Sequence, residues 1–279
     1  MSLSDEQVEQ FCRHGYTLVP EFFSPREVQA MQAEVRRFQR DGLLRNVSTE
    51  GDGQTRAQDR QNLQLCPMHP HSDFFRSLPF SETVISAVRR LIGDPVLLHL
   101  DQIFVKPAQH GAGTNWHQDN AYFKIDRPLM GTAMWIAVHD ATVENGTIEV
   151  IPDVYDQSLD HERDPMSDHH IRCYPDESKA VPCVLPAGGV AFFCYGTPHC
   201  TRANRSDRER AGVAYHFINA TVQGQARAGY AAGLRPHLTG EQATGGEGEF
   251  GTRVAGTWPD EVERALAADA QAADAPGAA

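Results

Sequence analysis

Residues 190–219 read VAFFCYGTPHCTRANRSDRERAGVAYHFIN. An apolar run (190–194) is followed by a turn, His199, a polar connection and a second apolar run. Short apolar runs bounded by Gly, Pro and Asn signals are read as strands. The same pattern recurs upstream in PVLLHLDQIFVKP (95–107), GTAMWIAVHDAT (131–142), GTIEVIP (146–152) and KAVPCVLPAGGVAFFCYG (179–196). Closely spaced strands without an internal repeat predict an antiparallel sandwich, barrel or jelly roll. In such a fold His199, at the end of a buried strand, can return beside residues far away in sequence.

Before residue 95 the pattern is helical. Ser4 and Gln7 have capping-box spacing ahead of Val8, Phe11 and Cys12, and Gly15 stops the run. YTLVP (16–20) reads as a short strand. Ser24-Pro25-x-Glu27 opens a second helix, with Val28, Met31, Val35 and Phe38 on one face. A third is expected over 81–92, capped by Ser81 and stopped by Gly93-Asp94-Pro95. The polar stretches 152–180 and 239–256 read as loops, the first a functional lid or a disordered segment. This gives one domain over 1–264: a mainly helical part (1–95), a jelly-roll core (96–225) and a C-terminal extension (226–264). Residues 265–279, rich in Ala, read as a flexible tail.

Composition narrows the function. The 279 residues are 41% hydrophobic, enough for a core, and carry a formal net charge of −12. Such a chain repels polyphosphate, and no Lys/Arg cluster is interleaved with aromatics, so neither nucleic acid nor a membrane surface is an expected partner. The start, MSLSDEQVEQ, lacks a basic segment followed by an apolar one, and a cytoplasmic location is expected. The six cysteines show no C-x-x-C spacing and read as free thiols.

Residues 115–120 read NWHQDN. If they begin a strand, His117 and Asp119 share a face, and an imidazole and a carboxylate can chelate one metal. A second His completes a two-His-one-carboxylate face with open positions, the set used by non-heme Fe(II) oxygenases. Alone, the pair is a weak signal in a chain with 13 His. His199, Thr201 two residues later and Arg210 eleven residues later strengthen it.

These motifs, WHQD (116–119), His199 and Arg210, together with MWIAVHDATVENGTIEVIP (134–152) and VEQFCRHGYTLVPEFFSPREVQAM (8–31), resemble the phytanoyl-CoA dioxygenase family of Fe(II)/2-oxoglutarate-dependent oxygenases. The resemblance covers most of residues 8–220. It implies a mainly β, double-stranded β-helix (jelly-roll, cupin-like) core with flanking helices. It implies Fe(II), 2-oxoglutarate and O2 as cofactor and cosubstrates, and hydroxylation of a small molecule with succinate and CO2 as coproducts. His117, Asp119 and His199 would be the iron ligands. Arg210 would anchor the distal carboxylate of 2-oxoglutarate, helped by Thr201, with Trp135, Gln102 and Lys106 near the cosubstrate. A carboxylate at Asp119 argues against halogenation, because related halogenases carry a small residue there.

Other readings stay open at this point. Trp135 also suits a core position, and Arg205 and Arg208 compete with Arg210. Asp153-Val154-Tyr155 replaces the family's G-S-H, which suggests that substrate recognition differs. Asn120, Tyr122, Phe123, Asn62 and Gln64 are candidate substrate contacts, each with a structural alternative. His69, His71, His161, His169 and His170 read as surface or loop residues, one of them open to a substrate contact. A metal-dependent cupin-like isomerase, lyase or cosubstrate-independent dioxygenase, or a non-catalytic binding module, are the competing functions.

Overall fold

Both helix-start signals operate as read in a computed structural model that describes residues 3–222 and 235–274. Ser4 caps α1 (Asp5–His14) and Ser24 caps α2 (Pro25–Arg40), each with a reciprocal capping box. Gly15, at φ 79°, closes α1 in the left-handed conformation that glycine adopts without strain. The chain then enters β1 (Tyr16–Val19). Ser81 caps α4 (Glu82–Ile92). A short α3 (Asp73–Ser77), not foreseen, precedes it.

Two antiparallel sheets face each other. The larger has seven strands in the order β1, β11 (Val190–Cys194), β6 (Gly131–Ala137), β13 (Arg210–Asn219), β4 (Val96–Lys106), β3 (Leu63–Leu65) and β2 (Arg45–Asn46). The smaller runs β10 (Val181–Pro182), β7 (Ile148–Val150), β12 (His199–Thr201), β5 (Thr114–His117). Their facing surfaces form the jelly-roll interior, and the sheets do not close into a barrel. The part before residue 95 is therefore not purely helical, since β1, β2 and β3 extend the large sheet.

The two-residue period of a strand decides which side chains reach that interior. On β6, Ala133, Trp135 and Ala137 pack with Ile148 and Val150 of the small sheet. Met134 and Ile136 point the other way, into the core shared with Met31 and Val35 of α2. Both faces are covered, which explains why every residue of β6 and β13 is buried. On β13 the inward set is Arg210, Gly212, Ala214 and His216, opposite Lys106, Phe104, Gln102 and Leu100 of β4.

Four expectations need correction. Residues 152–180 are more than a plain loop: they carry a ribbon of β8 (Glu162–Arg163) and β9 (Ile171–Arg172), tied to β5 by Cys173 N–H donating to the Trp116 carbonyl (2.7 Å). The 239–256 loop contains α6 (Glu247–Phe250). The flexible tail expected from 265 is helical to Asp274, as part of α7 (Trp258–Asp274). Alanine favours helix, and α7 docks on α2 and α3 through Trp258, Val262 and an Arg36–Asp269 ion pair at 2.6 Å. His199 lies not at the end of the 190–194 strand but on β12, across the interior in the other sheet. The boundary expected at 225/226 falls outside the described residues. All six cysteines are free thiols. Among the described residues, no helix is long and apolar enough to cross a membrane.

Candidate metal centre and ligand cavity

His117 ends β5 and pairs in register with His199 on β12, bringing the two rings to 4.2 Å between centroids. Asp119 does not share a strand face with His117, as the sequence suggested. It lies beyond the strand, in helical conformation (φ −57°, ψ −34°), at the N-terminus of the single-turn α5 (Asn120–Phe123). The turn of the chain, not the pleat, swings its carboxylate back. Asp119 Oδ1 then sits 4.0 Å from His117 Nε2 and 3.8 Å from His199 Nε2. One ligand atom from each residue lies within 4.8 Å of the other two.

Hydrogen bonds set the ring tautomers. His117 Nδ1 lies 2.8 Å from the Asn115 carbonyl and His199 Nδ1 3.0 Å from the Thr197 carbonyl. A carbonyl only accepts, so each Nδ1 carries the proton and each Nε2 lone pair faces the centre. Asp119 Oδ2 is held by His216 Nε2 at 3.1 Å, leaving Oδ1 free. Burial holds His117 down at about 3 and lowers His199 as well, so both rings are neutral near pH 7. Burial works to raise Asp119, but the surrounding imidazoles, His216 foremost with its hydrogen bond, outweigh it and hold the carboxyl well below the usual range. Two neutral imidazoles and one carboxylate are the protonation states a divalent metal requires. The donor set therefore fits a metal bound on one face, with the opposite positions open to the cavity.

The same cavity, about 410 Å³, ends on two buried cations. Arg210 and Lys106 are cross-strand partners, each 1% exposed. Arg210 Nη2 donates to the Gly146 carbonyl, and its Nε has no partner. Lys106 Nζ donates to the Arg202 carbonyl. Among the described residues neither meets a carboxylate. Burial pulls Arg210 down to about 9 and Lys106 well below its usual value, with Arg210 adding to the effect on the lysine. Buried charges without counter-charge are costly, so this end of the cavity favours an anion. Trp135 lies 5.4 Å beneath the Arg210 guanidinium. Thr201 accepts from the Thr114 N–H at 3.1 Å and keeps its own hydroxyl proton for the cavity.

Most residues expected at the site converge here. Trp135, Gln102, Lys106, Thr201, Arg210, Gln64, Tyr122 and Phe123 all line the cavity with the His-Asp-His group. Two do not. Asn120 clasps the Ile125 backbone through Nδ2 (3.1 Å) and Oδ1 (2.9 Å), and Asn62 donates to Thr114 Oγ1 at 3.1 Å. Arg205 and Arg208 are exposed, which leaves Arg210 as the interior arginine. Asp153-Val154-Tyr155 touches no part of the cavity. It anchors α1, with Asp153 Oδ1 at 2.6 Å from His14 Nδ1 and Tyr155 Oη donating to the Cys12 carbonyl at 3.0 Å. His169 and His170, later in the same stretch, do line the cavity.

The sequence reading missed His216 and Arg45. His216 had a usable signal: it lies six residues after Arg210, an even number, and so on the same strand face.

A family model described as phytanoyl-CoA dioxygenase (PhyH) matches residues 11–212. Ectoine dioxygenase of Bordetella bronchiseptica is 25% identical over 235 residues, covering 76% of this chain and 74% of its own. Methylphosphonate hydroxylase of Gimesia maris is 26% identical over 252 residues, covering 88% and 92%. The solved structure of SnoK, a non-heme α-ketoglutarate-dependent carbocyclase from nogalamycin biosynthesis, aligns with a TM-score of 0.68 at 22% identity, over 81% of this chain and 88% of that one. EctD from S. alaskensis, solved with 2-oxoglutarate and 5-hydroxyectoine, aligns with a TM-score of 0.64 at 19% identity, over 91% and 86%. The likeness in fold agrees with the order of the sequence motifs, and the chain belongs to the phytanoyl-CoA dioxygenase family.

Proposed function

We propose that the protein is an Fe(II)- and 2-oxoglutarate-dependent oxygenase that hydroxylates a C–H bond of a small polar molecule, releasing succinate and CO2. The observation that carries this reading is the pairing, in one cavity, of the His117-Asp119-His199 face with the uncompensated cations Lys106 and Arg210. A metal-only isomerase or lyase has no use for the second feature. The relatives named above as a dioxygenase, a hydroxylase and an α-ketoglutarate-dependent enzyme support the same class.

Iron with 2-oxoglutarate and O2 would supply a two-electron oxidation coupled to decarboxylation. The chain's own residues do the rest. His117 and His199 offer Nε2, and Asp119 offers Oδ1 while His216 steadies Oδ2. Arg210, whose planar fork suits a carboxylate, would take the distal end of the cosubstrate with Thr201 and Lys106. Tyr122, Phe123 and the His169–His170 segment between β8 and β9 would wall the substrate side of the cavity and limit water there.

The test is anaerobic addition of Fe(II) and 2-oxoglutarate, reading the visible charge-transfer band, followed by succinate formation in air. Wild-type protein should show both. Arg210→Ala should raise the 2-oxoglutarate KM by about 10- to 100-fold, the worth of a charge-assisted hydrogen bond. Asp119→Ala should abolish turnover. No band and no succinate in wild type would refute the reading.

A further inference from the structure

Of the polar groups in the cavity that the chemistry proposed above does not use, two keep open hydrogen-bonding capacity on the same side. His170 is 8% exposed and lines the cavity, with its ring 6.3 Å from that of His117 at an interplanar angle of 15°. Its backbone is bonded, but neither ring nitrogen has a hydrogen-bond partner among the described residues. Arg45, half-exposed at the rim and also in the lining, gives Nη1 to Asp168, and its Nε and Nη2 have no partner among the described residues.

The register places Arg45 apart from the cosubstrate cations. Arg45 pairs with Gln64, Gln64 with Phe104, and Phe104 with Gly212, so all four share the inner face. Arg45 thus stands two strands from β4, roughly 10 Å toward the sheet edge at the usual strand spacing. Arg45 is close enough to His170 to act on it electrostatically.

The lining is poor in acid. Asp119 is the only carboxylate among the described residues that line the cavity, and its two oxygens face the metal centre and His216. Asp168 lies outside that lining. Residues 1–2, 223–234 and 275–279 contain no Asp or Glu, so the remainder of the chain has none to add. A cationic substrate would find no counter-charge there. Arg45 already has Asp168 as its counter-charge, so a neutral substrate would leave unmatched its remaining Nε and Nη2 donors and the His170 imidazole.

We propose that the edge side of the cavity recognises the substrate by a small oxyanion, a carboxylate or a phosphonate, held between Arg45 and His170. This rests on the oxygenase reading for its role in turnover, but the binding itself does not. The cavity of about 410 Å³ must also hold the cosubstrate, so the substrate is compact.

The experiment uses matched probe sets on one short carbon skeleton: carboxylate, phosphonate, primary amide and trimethylammonium. Calorimetry on metal-free protein reads binding without the oxygenase chemistry. Carboxylate or phosphonate binding should survive in Arg210→Ala and weaken on the order of tenfold in Arg45→Gln and His170→Ala, with partial recovery in Arg45→Lys. With Fe(II) and 2-oxoglutarate, the same anions should shift the charge-transfer band and stimulate succinate release. The carboxylate and phosphonate arms show which oxyanion is preferred. Binding confined to the amide or the cation, no anion binding, or an anion affinity unchanged in Arg45→Gln would overturn the proposal. Anion binding sensitive to Arg45 in a protein that gives no charge-transfer band would uphold it while refuting the oxygenase reading.

Discussion

Gly212 carries no side chain, and the Trp135 indole uses that space. A Cβ at 212 would lie 2.6 Å from Trp135 Cζ2 and 2.7 Å from Nε1. The glycine therefore lets the ring lie flat under Arg210, and the pair forms the floor of the cationic end. Gly212→Ala should cost about 1–3 kcal/mol through overpacking. Because the displaced ring lies against Arg210, the proposed anchor of 2-oxoglutarate, the 2-oxoglutarate KM should rise as well. Denaturant melts together with KM against kcat will show whether the two effects travel together. His216 belongs to the same face. Its hydrogen bond leaves Asp119 with one oxygen for the metal, a role set by contact and not by residue type.

At the scale of the element, α5 decides where Asp119 points. A helix of four residues has too little internal hydrogen bonding to hold itself. Asn120 supplies what is missing: its side chain bonds both backbone groups of Ile125, and its N–H donates to the Tyr195 carbonyl at 2.8 Å. Asn120→Ala should leave those Ile125 groups unpaired in a buried setting and cost about 1–3 kcal/mol. Zinc or cobalt titration should show weaker metal binding, because Asp119 loses its fixed approach, and Asn120→Asp should recover part of it. Asn120 stands beside the metal motif in sequence, where it is a candidate substrate contact with a structural alternative, and its hydrogen bonds take the structural course. Proximity in sequence does not specify the direction of the side chain. Tyr122 and Phe123, two and three residues on, do face the cavity. One turn of helix separates the two outcomes, and the sequence carries no strong signal for so short a helix.

Over the whole molecule, the interior holds several neutral histidines, and this ties stability to pH. Burial pushes His99 from 6.5 down to about 3, and His170 is also held well below its ordinary value. In the unfolded chain such a ring protonates near pH 6.5, while in the folded state it does not until far lower. Between those values the unfolded state binds more protons, so stability falls as pH falls, by up to about 1.4 kcal/mol per pH unit for each such ring. Above pH 6.5 both states are neutral and the effect vanishes. The Tm of metal-free protein should therefore drop steadily as pH is lowered from neutrality to about pH 5. His99→Asn, which keeps a polar partner for the Tyr195 hydroxyl, should flatten that slope. A slope unchanged in the variant would remove His99 from the account.

The sequence by itself determined the central strands of the large sheet, the capped N-terminal helices and the order His117, Asp119, His199, Arg210. These depend on local rules: turn residues, capping geometry and a two-residue period that puts Arg210 on the inner face. The tertiary structure alone decided which of the candidate neighbours reach the cavity, that His216 steadies Asp119, and that the 152–180 stretch folds into a ribbon carrying His169 and His170 to the site. It also turned the presumed tail into a docked helix. The physical reason is the same in each case. A side chain's direction depends on where its element ends and on what packs against it, and those partners can lie 233 residues away, as in the Arg36–Asp269 contact that docks α7.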